Sequence, residues 1–273
     1  MVRRIIIDCD PGQDDAVALL LAFASPDELE VVGVTTVGGN VPLEQTQRNA
    51  RMICDIASSG VPVYGGCERP MARPLRTAEY IHGKTGIDGL EVFEPKTPLQ
   101  EQHAVEFIVE PLMASGEKRI TLVPTGPLTN IAAALERDPD FLTKFGHTYL
   151  MAGSPDGVGN VDALGEYNVW ADPEAATAVL AAPGAKTMIV VRVEAITARP
   201  TSEAPSRAAS SGEAPSSRRL WIASSTTMAL STSMPTPSAS PPSDMMFRVV
   251  PVWYIMKNVA TIEIGIDSAM IAV

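Results

Sequence analysis

Near its start the chain reads Ile5-Ile6-Ile7-Asp8-Cys9-Asp10-Pro11-Gly12-Gln13-Asp14-Asp15-Ala16, and this stretch decides the architecture. Three consecutive isoleucines make a short buried strand. The strand ends in acids and a Pro-Gly pair that turns the backbone. Residues 14–25 are then nearly all apolar after their acidic start, which predicts a buried helix. Two leading aspartates suit the positive end of that helix's dipole.

The same alternation continues outward. Strands are expected at 29–35, 62–64, 120–123, 147–151 and 187–191, and helices at 42–57, 101–115, 128–137 and 173–180. Pro111 should kink or end the third of these later-numbered helical runs, counting from residue 14. Residues 65–100 are rich in Gly and Pro and read as a long irregular segment. Loops of that length are usually functional or mobile. The pattern predicts an α/β fold: an open, mostly parallel sheet flanked by helices. Right-handed crossovers bring every strand-to-helix turn to one edge, where ligands bind near a switch in strand order.

The 273 residues are 45% hydrophobic, enough to bury one large core. The net charge is −11 with no dense Lys/Arg stripe, which argues against nucleic-acid binding. Three cysteines without paired or metal-ligand spacing fit a reduced, cytoplasmic setting. The first apolar run is three residues, too short for a signal segment, and no stretch approaches a bilayer span, so no membrane partner is expected. Composition changes near residue 191. Residues 1–190 carry 14 basic and 26 acidic side chains, whereas 191–273 carry 7 and 6. Between residues 201 and 243 lie 13 Ser, 6 Pro and 5 Thr. The expectation is an α/β domain over 1–190 and an atypical, largely disordered tail over 191–273, with one strand at 260–266.

The polar residues directly after the strands converge on the predicted rim. They are Asp8, Asp10, Gly12, Asp14 and Asp15; then Thr35, Thr36, Gly38, Gly39 and Asn40; then Thr125 and Gly126; then Gly153, Asp156, Asn160, Glu166 and Asn168. Four aspartates within eight residues repel one another when ionised, and a bound cation removes that cost. An all-oxygen donor set implies a hard metal, Ca²⁺ or Mg²⁺, with Gly12 letting Asp10 and Asp15 face one ion. The bland alternative is a helix cap plus solvated surface acids. An EF-hand fits poorly, since Gln13 stands where glycine is needed and Leu19 where the bidentate Glu is needed. A phosphate loop fits poorly too, because Gly38-Gly39 lacks the following Lys-Ser/Thr.

The run from Asp8 to Ala16 resembles the signature of inosine/uridine-preferring nucleoside hydrolases. So do Thr35-Thr36-Val37-Gly38-Gly39-Asn40, His82-Gly83-Lys84-Thr85-Gly86, Pro124-Thr125-Gly126-Pro127-Leu128-Thr129-Asn130, and Glu166-Tyr167-Asn168-Val169-Trp170-Ala171-Asp172-Pro173 after Gly159-Asn160. The resemblance covers about residues 3–190. It implies hydrolysis of ribonucleosides to ribose and base with bound Ca²⁺, in an enzyme that forms homodimers or homotetramers. By position it implies Asp10, Asp15 and the Thr125 carbonyl as metal ligands and Asp14 as the base on a Ca²⁺-activated water. It also implies Asn40, Asn160, Glu166 and Asn168 as ribose partners, and His82 closing over the base.

Other side chains read as structural: His103 at the surface, His147 in a strand, Met151 and Trp170 in packing, and Cys9 as an inert thiol between two acids. The family's His-Asp pair near the end of its sheet region is missing, and the chain has no histidine after His147. Asp244, after Ser243, is the candidate replacement for the missing carboxylate. The Ser/Pro/Arg-rich change of composition suggests a shifted reading frame. Three rival readings stand beside the hydrolase: a haloacid-dehalogenase-like phosphatase, a non-catalytic calcium or nucleoside binder, and an inactive remnant of such an enzyme.

Overall fold

The computed structural model describes residues 2–115, 120–154 and 159–189. The expected tail with its strand at 260–266, Asp244 as a ligand, and the rim position Asp156 lie outside the described residues. The elements are β1 (Arg3–Cys9), α1 (Gln13–Phe23), β2 (Leu29–Thr36), α2 (Leu43–Ala57), β3 (Val63–Gly65), α3 (Glu79–His82), β4 (Leu99–Gln100), α4 (Ala104–Ser115), β5 (Ile120–Pro124), α5 (Thr129–Arg137), a 3₁₀ turn (Phe141–Lys144), β6 (His147–Met151), α6 (Tyr167–Ala171), α7 (Pro173–Ala181) and β7 (Lys186–Ile189).

The strands form one sheet in the order β4-β3-β2-β1-β5-β6-β7, and every described pair is parallel. Strand period two explains how the sheet is covered on both faces. Ile5, Ile7 and Cys9 of β1, with Val123 and Tyr149, pack beneath α1 and α2. Ile6, Leu122 and Leu150 point the other way, into a core with Phe107 and Ile108 of α4, Ile131 and Leu135 of α5, and Val179 of α7. Buried on both sides, these strands read as continuous apolar runs rather than alternating ones.

The chain moves outward from β1 through β2, β3 and β4, and then returns to place β5 on β1's other side. The strand order therefore reverses at the β1/β5 pair. In open parallel sheets the crevice beyond the carboxyl ends of such a pair is the usual ligand site.

Two expectations need correction. Pro111 does not end its helix, because α4 runs on to Ser115; a single proline removes one backbone donor, and the flanking turns supply the rest. The segment 65–100 is not wholly irregular. It contains α3 and β4 and is pinned to the rest of the fold at intervals. Gly38 N–H donates to Cys67 O at 2.9 Å, Ala78 N–H to Asn40 O at 2.9 Å, and the Tyr167 hydroxyl to Arg76 O at 3.0 Å. Among the described residues no helix is long and apolar enough to cross a membrane.

Candidate active site

Asp8, near the end of β1, is buried and holds the floor of the crevice together. Its Oδ1 accepts from Thr35 Oγ1 at 2.6 Å and from Asn130 Nδ2 at 2.7 Å. Asn130 extends the link: its Nδ2 also donates to Thr36 O at 3.0 Å, and its Oδ1 accepts the Cys67 N–H at 2.8 Å. One side chain on α5 thus joins β1, β2 and the segment after β3. Asp8 Oδ2 is buried without a partner. Burial pushes the Asp8 carboxyl up to about 6, against the lowering effect of the Thr35 and Asn130 bonds.

Asp10 sits two residues beyond, in the switch-point crevice, with 1% of its surface exposed. Its Oδ2 accepts the Asn40 N–H at 2.7 Å, and Asn40 Nδ2 donates to Asp10 O at 3.1 Å. The carboxylate fits between two bare backbones. A Cβ on Gly39 would lie 2.0 Å from Asp10 Oδ2, and one on Gly126 would lie 2.6 Å from Oδ1. A side chain at either place would force Asp10 or the turn to move, so glycine is favoured at both by close approach. Asp15, on the first turn of α1, is 4% exposed. Its Oδ1 accepts from Thr125 Oγ1 at 2.7 Å and its Oδ2 from Gly12 N–H at 3.4 Å. Thr125 itself continues the β1–β5 ladder, its N–H donating to Asp8 O at 2.7 Å.

Among the described residues no ion pair involves Asp8, Asp10 or Asp15. Burial first, then the charge of Asp15, drives Asp10 well above the usual carboxylate range. Burial and the charge of Asp14 push Asp15 up to about 7, against the Thr125 and Gly12 bonds. Such a pair suits an oxygen-ligated cation, which would supply the missing positive charge. The donor set is nonetheless short. Among the described residues no group of three or more His, Cys, Asp or Glu side chains is arranged to hold a metal. Two carboxylates and the Thr125 carbonyl fall below the six to eight oxygens that Ca²⁺ takes. The residues fit part of a cation's ligand sphere.

Asp14 differs from its neighbours in being exposed. It is the carboxylate of this cluster open to solvent, and its charge is felt by Asp10, Asp15 and His82. His82, at the end of α3, is half-buried, and burial lowers its basicity more than Asp14 raises it. Its Nδ1 lies 2.6 Å from Gln13 Oε1.

The residues expected to hold ribose are largely occupied with backbone groups. Glu166 caps α6: its Oε1 accepts Asn168 N–H at 3.1 Å, and its Oε2 accepts Gly153 N–H at 2.8 Å and Val169 N–H at 3.3 Å. Asn160 Oδ1 accepts Tyr167 N–H at 2.7 Å. Asn168 Nδ2 donates to Thr125 O at 2.8 Å and to Met151 O at 2.9 Å, which ties β6 to the Asp15–Thr125 pair. The structure thus links Asp10, Asp15, Thr125, Asn40, Asn168 and Glu166 in one crevice. Asn160 joins only through α6.

Three residues that matter here had no local signal in the sequence. Asn130 and Gln13 act through partners 122 and 69 residues away. Asp172 caps α7 through Ala175 N–H at 3.0 Å and also accepts Thr129 Oγ1 at 2.7 Å and Met71 N–H at 3.0 Å. Cys9 is buried, and burial together with the neighbouring aspartates raises its thiol far above the reactive range. His147 Nε2 lies 2.9 Å from Thr187 Oγ1 within the sheet. His103 Nδ1 accepts Val105 N–H at 3.2 Å where α4 begins.

A sequence model of the inosine-uridine preferring nucleoside hydrolases matches residues 5–250, running past the point where composition changes. The chain is 46% identical over 179 residues to an inosine-uridine preferring nucleoside hydrolase of Leishmania major, covering 64% of this chain and 56% of that protein. It is 46% identical over 178 residues to the pyrimidine-specific ribonucleoside hydrolase RihB of Escherichia coli O1:K1, covering 65% of this chain and 56% of that protein. Among solved structures, a purine-preferring ribonucleoside hydrolase from Gardnerella vaginalis aligns with a TM-score of 0.65 at 35% identity, over 69% of this chain and 60% of that one. The chain therefore spans 56% of the length of these two curated relatives.

Proposed function

The chain belongs to the family of inosine-uridine preferring nucleoside hydrolases, and on that premise we propose that its crevice cleaves the N-glycosidic bond of ribonucleosides, releasing ribose and free base. The observation that carries this reading is the contrast among three neighbouring carboxylates. Asp10 and Asp15 are buried and meet through Thr125 and Gly126, while Asp14 is exposed beside them.

The oxygen donors favour a divalent cation, and Ca²⁺ is the ion proposed, held by the Asp10 and Asp15 carboxylates and the Thr125 carbonyl. When bound, such an ion lowers the pKa of a water and orients the sugar diol. Asp14, exposed and acceptor-only when ionised, takes the proton of the attacking water. The water oxygen bonds to the anomeric carbon as the C–N bond breaks, and the electron pair of that bond leaves with the base. Positive charge grows on the ribose in the transition state, and the carboxylates of Asp10 and Asp15 stabilise it. Direct attack inverts the anomeric carbon.

Asn168 has spent both amide N–H donors on backbone carbonyls, which leaves its oxygen to accept from a ribose hydroxyl. Asn40 has spent one on Asp10 O, which fixes its amide and leaves one N–H and the oxygen for the sugar. Glu166 and Asn160 keep spare hydrogen-bonding capacity beyond their backbone bonds, and they complete the ribose set. The substrate class stops at ribonucleosides, because the relatives' names span inosine-uridine, pyrimidine and purine preference.

The test is ribose release from inosine and uridine by the full chain and by Asp14→Ala. The wild-type chain is expected to release ribose. The variant should be slower by about a hundredfold or more while still binding Ca²⁺ in calorimetry. Unimpaired turnover in Asp14→Ala would remove this residue from the base role. Ribonucleoside binding without any ribose would replace the hydrolase reading with a non-catalytic binder.

A further inference from the structure

Gln13 opens α1 directly before the two adjacent aspartates, yet the chemistry above makes no use of it. Its side chain reaches across to the segment after β3. The amide nitrogen donates to His82 O at 3.3 Å and, at 3.5 Å, to Asp88 O. The amide oxygen lies 2.6 Å from His82 Nδ1.

This arrangement has one consistent assignment of protons. A backbone carbonyl can only accept, so the carbonyls of His82 and Asp88 turn the amide with its nitrogen toward them. The amide oxygen left facing the ring can also only accept, so Nδ1 must carry the proton. A neutral imidazole then has a bare lone pair on Nε2. In water the Nε2–H form of histidine predominates, so the fold inverts the usual preference. Nε2 has no hydrogen-bond partner among the described residues and is not among the buried unpartnered atoms.

Gly12 gives the ring its place. A Cβ there would lie 2.6 Å from His82 Nδ1 and 2.8 Å from Cε1. The ring therefore packs against bare backbone beside the Asp10–Asn40 pair, and Asn40 Nδ2 would be 3.0 Å from that same Cβ.

We propose that Gln13 is a positioning residue: oriented by the carbonyls of His82 and Asp88, it holds His82 in the Nδ1–H tautomer and presents Nε2 as an acceptor for a hydroxyl or N–H donor of a ribonucleoside. The ligand in this inference rests on the function proposed above; the tautomer does not.

The tautomer is read directly in two-bond ¹H–¹⁵N spectra of the full chain labelled in histidine, recorded above the imidazole titration range. The sequence has three histidines, and His82→Gln assigns the resonance. The wild type should show His82 protonated at Nδ1 and bare at Nε2. Gln13→Met, similar in length but without an amide, should move His82 toward the Nε2–H form. Gln13→Glu still accepts from Nδ1–H, though it loses both donors to the carbonyls, and should keep the Nδ1–H form, which mere packing would not produce. In ribose-release assays Gln13→Met should raise KM about tenfold, as expected for one lost hydrogen bond, with kcat changed much less.

An Nε2–H His82 in the wild type, or an unaltered tautomer in Gln13→Met, would overturn the positioning role. The wild-type spectrum decides this even where a variant fails to fold. A changed tautomer with unchanged KM would overturn the acceptor role. The predicted tautomer in a chain that releases no ribose from either nucleoside would uphold the hold of Gln13 on His82 and reject the proposed activity instead.

Discussion

The hydroxyl of Thr125 donates to the carboxylate of Asp15 at 2.7 Å across 110 residues of sequence. One partner leads out of β5 and the other opens α1, so the bond closes the crevice exactly where the strand order reverses. It is a charge-assisted bond in a buried place, the kind whose loss leaves an acceptor stranded.

Thr125→Val keeps the main-chain carbonyl and the side-chain shape but removes this donor. The expected cost is about 1–3 kcal/mol in urea denaturation. The Asp15 carboxyl should titrate still higher, because a bond favouring its ionised form is gone. An unchanged denaturation midpoint would show that Asp15 is held by other means.

The raised carboxylates set a pH dependence in the cation-free protein. Asp8 and Asp15 have folded values of about 6 and 7, above their unfolded values near 3.8. Between those limits the folded state binds more protons than the unfolded one, so stability falls as pH rises through this window. The half-buried Asp55 and the exposed Asp162 and Glu174 shift the opposite way with small weight, and half-buried His82 opposes the trend near its own titration, against three raised buried aspartates. Chelator-treated protein should therefore melt lower at pH 7.5 than at pH 5. Added Ca²⁺ should raise the melting temperature more at pH 7.5, where protons no longer compete for the same oxygens. Equal calcium shifts at both pH values would contradict this.

Gly39→Ala places a methyl where Asp10 Oδ2 now lies. Either the carboxylate or the turn before Asn40 must move. Overpacking of this kind costs about 1–3 kcal/mol, and the displaced Asp10 should weaken Ca²⁺ binding by at least about tenfold, a loss of one charged ligand's geometry. Calorimetric titration of the folded variant measures it, and native affinity would show that Asp10 is not a ligand.

Asn130→Ala removes a donor from Asp8 Oδ1, a donor from Thr36 O and the acceptor for Cys67 N–H together. A loss of about 2–4 kcal/mol is expected from several buried partners left unsatisfied. Combined with Asp8→Asn the loss should be less than additive, since both residues belong to one network. Strict additivity would mean the two act separately.

Much of the fold was legible because strands buried on both faces read as continuous apolar runs. The strand around Ile5–Ile7 stands out for that reason, and Pro173 stands at the first turn of the helix read from it. The elements that escaped are short. α6 has five residues and β4 two, too few to complete a period. Pro111 was read as kinking or ending its helix, and the helix runs past it to Ser115 because one missing donor is a small loss among the surrounding turns. At the site, Asp10, Asp15 and Thr125 were legible as acids and turns following strands. Asn130 and Gln13 were not, since each acts through a partner far along the chain, and neither were the bonds that Asp172 accepts from Thr129 and Met71. Glu166 shows the same blindness from the other side: a residue read as a ribose partner also caps α6 through backbone N–H groups.

The most direct test of the account is ribose release from inosine and uridine by the full chain before chelation, after chelation, and after Ca²⁺ is restored. Release is expected, with its loss on chelation and its return with calcium. Turnover indifferent to chelation, or no ribose from either nucleoside at any calcium concentration, would contradict it.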